Sequence, residues 1–110
     1  VLIVLDTNTK KIKINDVILV YVPNSFSPNG DESNNVFLPI IASGVVPETY
    51  TLRIFNRWGQ LVFETKILGA GWDGIYKGQP QVMDVYTWAL DALGIDGVYF
   101  RKSGNSVLIR

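Results

Sequence analysis

Apolar and polar residues alternate most regularly on either side of a short turn in the middle of the chain. The apolar positions of this pattern are Tyr50, Leu52, Ile54, Leu61 and Phe63. A period of two residues is typical of strands that bury one face. The intervening Asn56-Arg57-Trp58-Gly59 fits a type I turn closed by Gly59 in the left-handed region (a G1 bulge). The pattern predicts a β-hairpin over residues 50–63, with Leu61 and Phe63 facing the core and Val62 facing away.

Several other segments also have strand patterns. They are residues 1–5, 12–14, 17–22, 36–41, 85–92, 98–102 and 106–109. Pro39 predicts an edge or a bulge in the fourth of them, and Ser103-Gly104-Asn105 is expected to interrupt the last strand. No apolar run keeps a helical period over ten positions. Short strands at intervals of about 8–12 residues with glycine-rich turns predict an all-β, immunoglobulin-like antiparallel β-sandwich of about seven strands.

One detail favours the immunoglobulin-like form of the sandwich. Asp84-Val85-Tyr86 opens a strong late strand and resembles a tyrosine corner, in which a Tyr hydroxyl bonds to upstream backbone. Antibody domains place a Cys two residues later, where this chain has Trp88. Aromatic packing would then replace the disulfide. The alternative, a tyrosine that simply fills the core, fits the sequence equally well.

Composition narrows the range of functions. The chain has 110 residues, enough for one domain, and 47% of them are hydrophobic, so a true core is expected. Ten Lys and Arg residues balance ten Asp and Glu residues, which argues against nucleic acid or an anionic membrane as a partner. No apolar run is long enough to insert into a bilayer. The chain has no His and no Cys, and we expect it not to be an enzyme.

The polar loop at residues 24–35 offers one candidate metal site. Asn29, Asp31 and Asn35 place oxygen atoms close together in the sequence, as Ca²⁺ prefers. Their order does not match an EF-hand loop. The interpretation we favour is a loop whose Asn and Asp side chains bond to their own backbone, with no cofactor.

Two tryptophans are candidates for binding. Trp72, within Gly71-Trp72-Asp73-Gly74, would be a sugar-stacking platform if exposed, but a plug at one end of the sandwich is the favoured interpretation. Trp58 lies at the predicted hairpin tip. It either forms a contact surface or folds back over the sheet.

Several motifs in this order resemble one known family. They are Val22-Pro-Asn-Ser-Phe-Ser-Pro-Asn-Gly-Asp31, Asn35-Val-Phe37, Leu52-Arg-Ile-Phe-Asn-Arg-Trp-Gly-Gln-Leu-Val-Phe63, Gly71-Trp-Asp-Gly74, and Val85-Tyr86 with Trp88. They resemble the gliding-motility-associated C-terminal domain, the type B sorting domain of the Bacteroidetes type IX secretion system. The resemblance divides the chain into residues 1–21, a first strand and junction to an upstream domain, and residues 22–110, the sorting domain.

The chain departs from the family pattern at two places. Glu32 stands where the family usually has Gly, and Asn35 where it usually has Asp, which removes a carboxylate from any cation site. Met83-Asp84 stands where Pro and Gly often precede the Val-Tyr pair. The closing residues 107–110 are similar to the family's last residues, so Arg110 is expected to be the parent's own C-terminus.

The resemblance implies a targeting function. Such domains direct a large parent protein, adhesins and enzymes among them, through the periplasm and outer membrane to the cell surface or the medium. The implied partners are the type IX outer-membrane translocon and an SprF/PorP-like outer-membrane protein. An exposed edge of the last strand would suit recognition, with Arg101, Lys102 and Arg110 as its charged side chains. The alternative is an immunoglobulin-like adhesive module that binds a carbohydrate or a surface protein.

Overall fold

The computed structural model describes residues 2–3, 18–28 and 35–110, and this part of the chain is almost entirely β. A 3-10 turn at Pro47–Thr49 is its one helical element. The strands are β1 (Leu2–Ile3), β2 (Ile18–Tyr21), β3 (Ser25–Phe26), β4 (Ile40–Ser43), β5 (Thr51–Phe55), β6 (Leu61–Thr65), β7 (Ile75–Tyr76), β8 (Gln79–Pro80), β9 (Asp84–Leu93) and β10 (Tyr99–Leu108). The predicted all-β class is confirmed.

The strands form two packed sheets and one small hairpin. The larger sheet has the order β3-β10-β9-β5-β6, the smaller sheet β1-β2-β4, and β7 pairs with β8. All pairs are antiparallel except β1 with β2 and β3 with β10, which are short and parallel. The core combines inner-face residues of the larger sheet, such as Leu52 and Leu90, with loop residues such as Trp72. Val20 and Ile41 of the smaller sheet pack against it. This is the predicted sandwich.

The tyrosine corner is present. The Tyr86 hydroxyl donates a hydrogen bond of 2.7 Å to the carbonyl oxygen of Val82. Two residues on, Trp88 is buried on the same face and its ring lies 6.3 Å from that of Phe37. Aromatic packing therefore occupies the position where antibody domains place a disulfide.

Trp72 is a plug, not a sugar platform. It is 1% exposed, and its indole N–H donates to the carbonyl oxygen of Ile75 at 3.0 Å. Its backbone exchanges two hydrogen bonds with Phe37, and its ring packs 5.0 Å from Tyr86 and 5.7 Å from Phe26. Since every face of the indole has a protein neighbour, no ring surface is left for a ligand.

The predicted hairpin is confirmed, and Phe63 packs against the core as expected, but the predicted directions of Leu61 and Val62 were wrong. Val62 is buried and Leu61 is 39% exposed, while Phe63 is only half-buried. The register explains this, because Ile54 pairs with Phe63 whereas Phe55 pairs with Leu61. Val62 is the extra residue of a β-bulge, where regular alternation fails. Among the described strands β6 is an edge of the larger sheet.

Two other strand predictions need correction. The strand expected at residues 36–41 begins only at Ile40, because the backbone of Phe37 is bonded to Trp72 instead. The last strand is not interrupted, since β10 pairs with β9 from Tyr99 through Leu108. The strands predicted at residues 17–22 and 85–92 are confirmed as β2 and β9. Apart from Leu2–Ile3, the strands predicted before residue 17 lie outside the described residues.

Candidate partner-recognition surface

The hairpin tip is held in one conformation by its first residue. The side-chain oxygen of Asn56 accepts hydrogen bonds from the backbone N–H of Trp58 (3.0 Å) and of Gln60 (2.9 Å). The side-chain amide of Asn56 donates to that of Gln60 at 2.9 Å. Gly59 completes the turn at φ +79°, a conformation that L side chains rarely adopt. The backbone of the tip is therefore held in place by hydrogen bonds within the turn itself.

Trp58 projects from this tip into solvent. Its side chain is 78% exposed, so the ring is not folded back over the sheet. The Arg57 guanidinium lies 5.5 Å from the centre of the indole ring, within range of a cation–π interaction. Arg57 also pairs with Asp84 at 3.5 Å, which ties the tip to the start of β9. Asp84 lies between the exposed apolar residues Met83 and Val85. We call Arg57, Trp58, Met83, Asp84 and Val85 the tip surface.

Charged residues occupy the centre of the outer face of the larger sheet, which is the face that carries Arg53 and Arg101. Arg53 pairs with Glu64 at 2.6 Å and lies 3.9 Å from Asp91. Arg101 is opposite Asp91 in the β9–β10 register. Exposed apolar residues lie toward the ends of this face, at Leu61 and Val85 on one side and Tyr99 on the other. The tip surface therefore borders an apolar end of the sheet.

The three cations predicted to recognise a partner do not form one site. Arg101 is on the outer face, where its guanidinium lies 5.7 Å from the Tyr99 ring. Lys102 is opposite the buried Leu90 and is half-buried on the inner face. Arg110 follows β10, roughly 30 Å further along an extended chain. A partner would have to contact three separate places to use them all.

Arg110 already has protein partners. Its guanidinium donates two hydrogen bonds to the carbonyl oxygen of Gln81, from Nε at 3.1 Å and from Nη2 at 2.7 Å. The group is close enough to Tyr86 to act on its ionisation. Burial raises the pKa of Tyr86, the Asp84 carboxylate raises it further, and Arg110 lowers it. Arg110 thus fastens the segment that forms the tyrosine corner.

The outer edge of β10 is partly covered. The backbone N–H groups of Val107 and Ile109 donate to the carbonyl oxygens of Asn24 and Phe26 at 2.9 Å. Within the described part of the chain, no strand pairs with this edge between Tyr99 and Ser106. That length of edge is the part of the last strand suited to β-augmentation.

The candidate cation site is only partly described. Asn29 and Asp31 lie outside the described residues. Asn35 is half-buried, and its side-chain oxygen accepts no hydrogen bond from any described residue. No cluster of three or more acidic residues that could hold a metal occurs in residues 2–3, 18–28 and 35–110. The same ranges contain no helix long and apolar enough to cross a bilayer.

Comparison with known families decides what kind of domain this is. Residues 20–104 match the CHU_C type IX secretion signal domain, which covers most of the chain. The chain belongs to the CHU_C type IX secretion signal family. No curated protein matches it. The family confirms the predicted resemblance and gives this domain a role as a secretion signal, read by the type IX machinery for export to the cell surface or the medium.

A solved structure supports the fold of this type IX secretion signal domain. CopC from Methylosinus trichosporium OB3b superposes with a TM-score of 0.52 over 83% of this chain and 90% of the CopC chain. The two sequences are 16% identical, so the likeness concerns architecture alone. It agrees with the immunoglobulin-like sandwich derived from the strand pattern.

Proposed function

We propose that this type IX secretion signal domain acts as a folded targeting module for a larger parent protein. After the parent reaches the periplasm, the type IX outer-membrane translocon recognises the domain, together with an SprF/PorP-like outer-membrane protein. The parent then crosses the outer membrane to the surface or the medium. The observation that carries this proposal is the family match over residues 20–104, which span the whole of the larger sheet except the end of β10.

The lack of His and Cys, together with the lining of one surface groove, supports binding over catalysis. The sequence has neither His nor Cys, and one groove on the described surface, near β4, has a volume of about 330 Å³. Its lining is Leu38, Pro39, Ile40, Ile41, Leu68 and Gly69, none of which can act as a nucleophile or general base through its side chain. We therefore propose that the domain is not an enzyme and needs no cofactor. Turnover by the pure domain that a point substitution abolishes would contradict this.

A fusion experiment tests whether the signal is a folded surface or a linear peptide. The complete chain is fused behind a periplasm-directed fluorescent reporter in a host with a type IX system. A second fusion carries Leu52→Asp, which places a charge at a fully buried core position. We expect the first reporter outside the cell and the second in the periplasm. Equal export of both would show that folding is not required and would contradict the proposal.

The predicted recognition residues are better tested by single substitutions than by truncation, because truncation would disrupt the fold. Deleting the last ten residues would also remove most of β10 and with it the longest ladder of the sheet. Arg101→Ser removes an exposed charge on the outer face together with its contact to the exposed Tyr99 ring. If Arg101 takes part in recognition, the exported fraction of the reporter falls while the melting temperature of the domain is unchanged. Unchanged export would exclude Arg101 from the recognition surface.

Adhesion is the second candidate function, and the exposed Trp58 is the observation that favours it. An adhesive module would bind purified glycans or a surface protein without exporting its fusion partner. The two functions therefore give opposite results: export without glycan binding supports targeting, and glycan binding with a periplasmic reporter supports adhesion.

A further inference from the structure

The hairpin tip carries two large side chains, Arg57 and Trp58, that lie mostly in solvent and outside the core. We propose that the tip surface (Arg57, Trp58, Met83, Asp84 and Val85) is where an outer-membrane protein of the type IX machinery docks. The proposal rests on the targeting function argued above and adds the place and chemistry of recognition. The partner would offer an apolar pocket for the Trp58 indole and a carboxylate for Arg57.

Trp58 adds little to the core. Its indole is 78% exposed, whereas Trp72 and Trp88 are buried. The turn nevertheless holds the backbone that carries the ring in place, because Asn56 binds the backbone on both sides of Gly59. Trp and Arg are the residues that most often dominate protein–protein binding energy, and a backbone that is already ordered lowers the entropy cost of binding. The tip thus has the composition and the ordered backbone of a binding anchor.

The surroundings of the tip favour a protein over a glycan. A sugar stacked on a tryptophan needs free polar groups near the ring to bind its hydroxyls. Here the side chains of Asn56 and Gln60 are bonded to each other, and Asn56 also binds backbone. Met83 and Val85, on either side of Asp84, are exposed and apolar, so the Arg57 guanidinium is the main free polar group beside the ring. An apolar pocket complements this arrangement better than a hydroxylated ring does.

The positive charge of Arg57 indicates which group the partner should have beside its apolar pocket, namely a carboxylate. The Arg57 side chain is 61% exposed, and its contact with Asp84 at 3.5 Å uses only part of the guanidinium. Arginine presents five N–H donors, so several remain for a second carboxylate. Asp84 itself is mostly covered, with a side-chain exposure of 20%. A partner therefore meets a positive group beside the exposed indole.

The test compares variants of the tip in the export assay, with the complete chain fused to the reporter. Trp58→Ala removes the anchor, Trp58→Phe keeps an aromatic ring, and Arg57→Glu reverses the charge. Ile67→Ala is the control, because Ile67 is 69% exposed but lies outside the tip surface. Since the altered side chains are exposed, the melting temperature of each variant should stay within about 4 °C of the wild type.

We expect Trp58→Ala and Arg57→Glu each to lower the exported fraction by about tenfold or more, as loss of a binding anchor does. Trp58→Phe should keep part of the export, and Ile67→Ala all of it. If the wild type and Trp58→Ala are exported equally well, the proposal that the tip surface is the docking site is wrong. The targeting function would not be affected by that result. A wild-type fusion that remains periplasmic would overturn the targeting function itself.

A contact measurement separates docking from an indirect effect. A photoreactive phenylalanine analogue in place of Trp58 should crosslink to an epitope-tagged SprF/PorP-like protein or to the tagged translocon pore. The same analogue at Ile67 should give no such product. Crosslinking from position 67 but not from position 58 would contradict the proposed docking site.

Discussion

Gly104 lies directly opposite Trp88 in the β9–β10 ladder, and the Trp88 ring fills the space that a side chain at Gly104 would need. A Cβ atom built on Gly104 would lie 2.9 Å from Cζ2 and 3.1 Å from Cε2 of Trp88. Contacts this short require a shift of the ring or of the strand. Gly104 is therefore a packing partner of Trp88 and not a break in β10, which explains why the strand continues through Ser103-Gly104-Asn105.

Substitution of Gly104 tests this packing. In a strand, Gly→Ala normally stabilises by about 0.4–1 kcal/mol, because it restricts the unfolded chain. Here the collision with Trp88 reverses the sign, and Gly104→Ala should destabilise by about 1–3 kcal/mol in urea unfolding. Ser103→Ala, on the exposed face, should change stability by less than about 0.5 kcal/mol.

Gly104→Ala should decrease the free energy of unfolding less when Trp88 is replaced by the smaller Phe. In a Trp88→Phe background, the indole atoms that the new Cβ would meet are absent, so the cost of Gly104→Ala should fall. The packing relationship would be contradicted if Gly104→Ala were as stable as the wild type. It would also be contradicted if the substitution lowered the free energy of unfolding equally in the wild-type and Trp88→Phe backgrounds.

The hydrogen bond of the tyrosine corner should make a small, measurable contribution to stability. Tyr86→Phe removes the hydroxyl that donates to Val82 and keeps the ring in the core. The free energy of unfolding should decrease by about 1 kcal/mol. Tyr99→Phe, at an exposed tyrosine, serves as the control and should leave stability nearly unchanged. Equal effects of the two substitutions would exclude a special role for the corner.

The bulge in β6 predicts that alanine substitutions at the neighbouring positions 61 and 62 destabilise the domain by different amounts. Val62→Ala shortens a buried side chain and should destabilise by about 1–2 kcal/mol. Leu61→Ala removes more carbon atoms but from an exposed position, and should cost less. Phe63→Ala should cost less than the ~3–5 kcal/mol of a fully buried ring, because the ring is only half-buried. A larger cost for Leu61→Ala than for Val62→Ala would contradict the described register.

The buried tyrosine in the hairpin makes stability fall in alkaline solution. Burial raises the pKa of Tyr50 from 10.0 to about 12. Between these two values the unfolded chain has lost the phenolic proton while the folded chain keeps it. The contribution of Tyr50 is thus complete below pH 10 and is lost as the pH rises toward 12. For a shift of two units the loss is about 2–3 kcal/mol.

Tyr50→Phe isolates that contribution. The variant should lose less stability than the wild type between pH 9 and pH 12 in urea unfolding. Part of the decline should remain, because burial also raises the pKa of Tyr86. Parallel curves for the two proteins would show that Tyr50 does not titrate as described.

Much of the fold could be predicted because its signals are local. Alternation and turn chemistry predict the hairpin, and glycines around one large ring favour the Trp72 plug. Asp84-Val85-Tyr86 suggests the corner, although a plain core tyrosine fits the sequence equally well. The targeting role came from several motifs in a fixed order, which the family match confirms at the level of a type IX secretion signal.

The errors arise where distant residues decide the outcome. The role of Gly104 depends on Trp88 across the strand pair, and the burial of Val62 depends on a bulge that alternation cannot reveal. The sequence drew attention to Trp58 but not to Asp84, because only folding brings Arg57 to Asp84. Likewise, Arg101 and Lys102 are neighbours in sequence, yet a strand places them on opposite faces.

Dependence of export on the translocon is the most direct test of the targeting function. The complete chain, fused to the periplasm-directed reporter, is expressed in a type IX-competent host and in an otherwise identical strain that lacks the translocon pore. The measured quantity is the fraction of reporter at the surface and in the medium. The targeting function predicts export in the first strain and a periplasmic reporter in the second. A reporter that stays periplasmic in both strains, or leaves the cell in both, would contradict it.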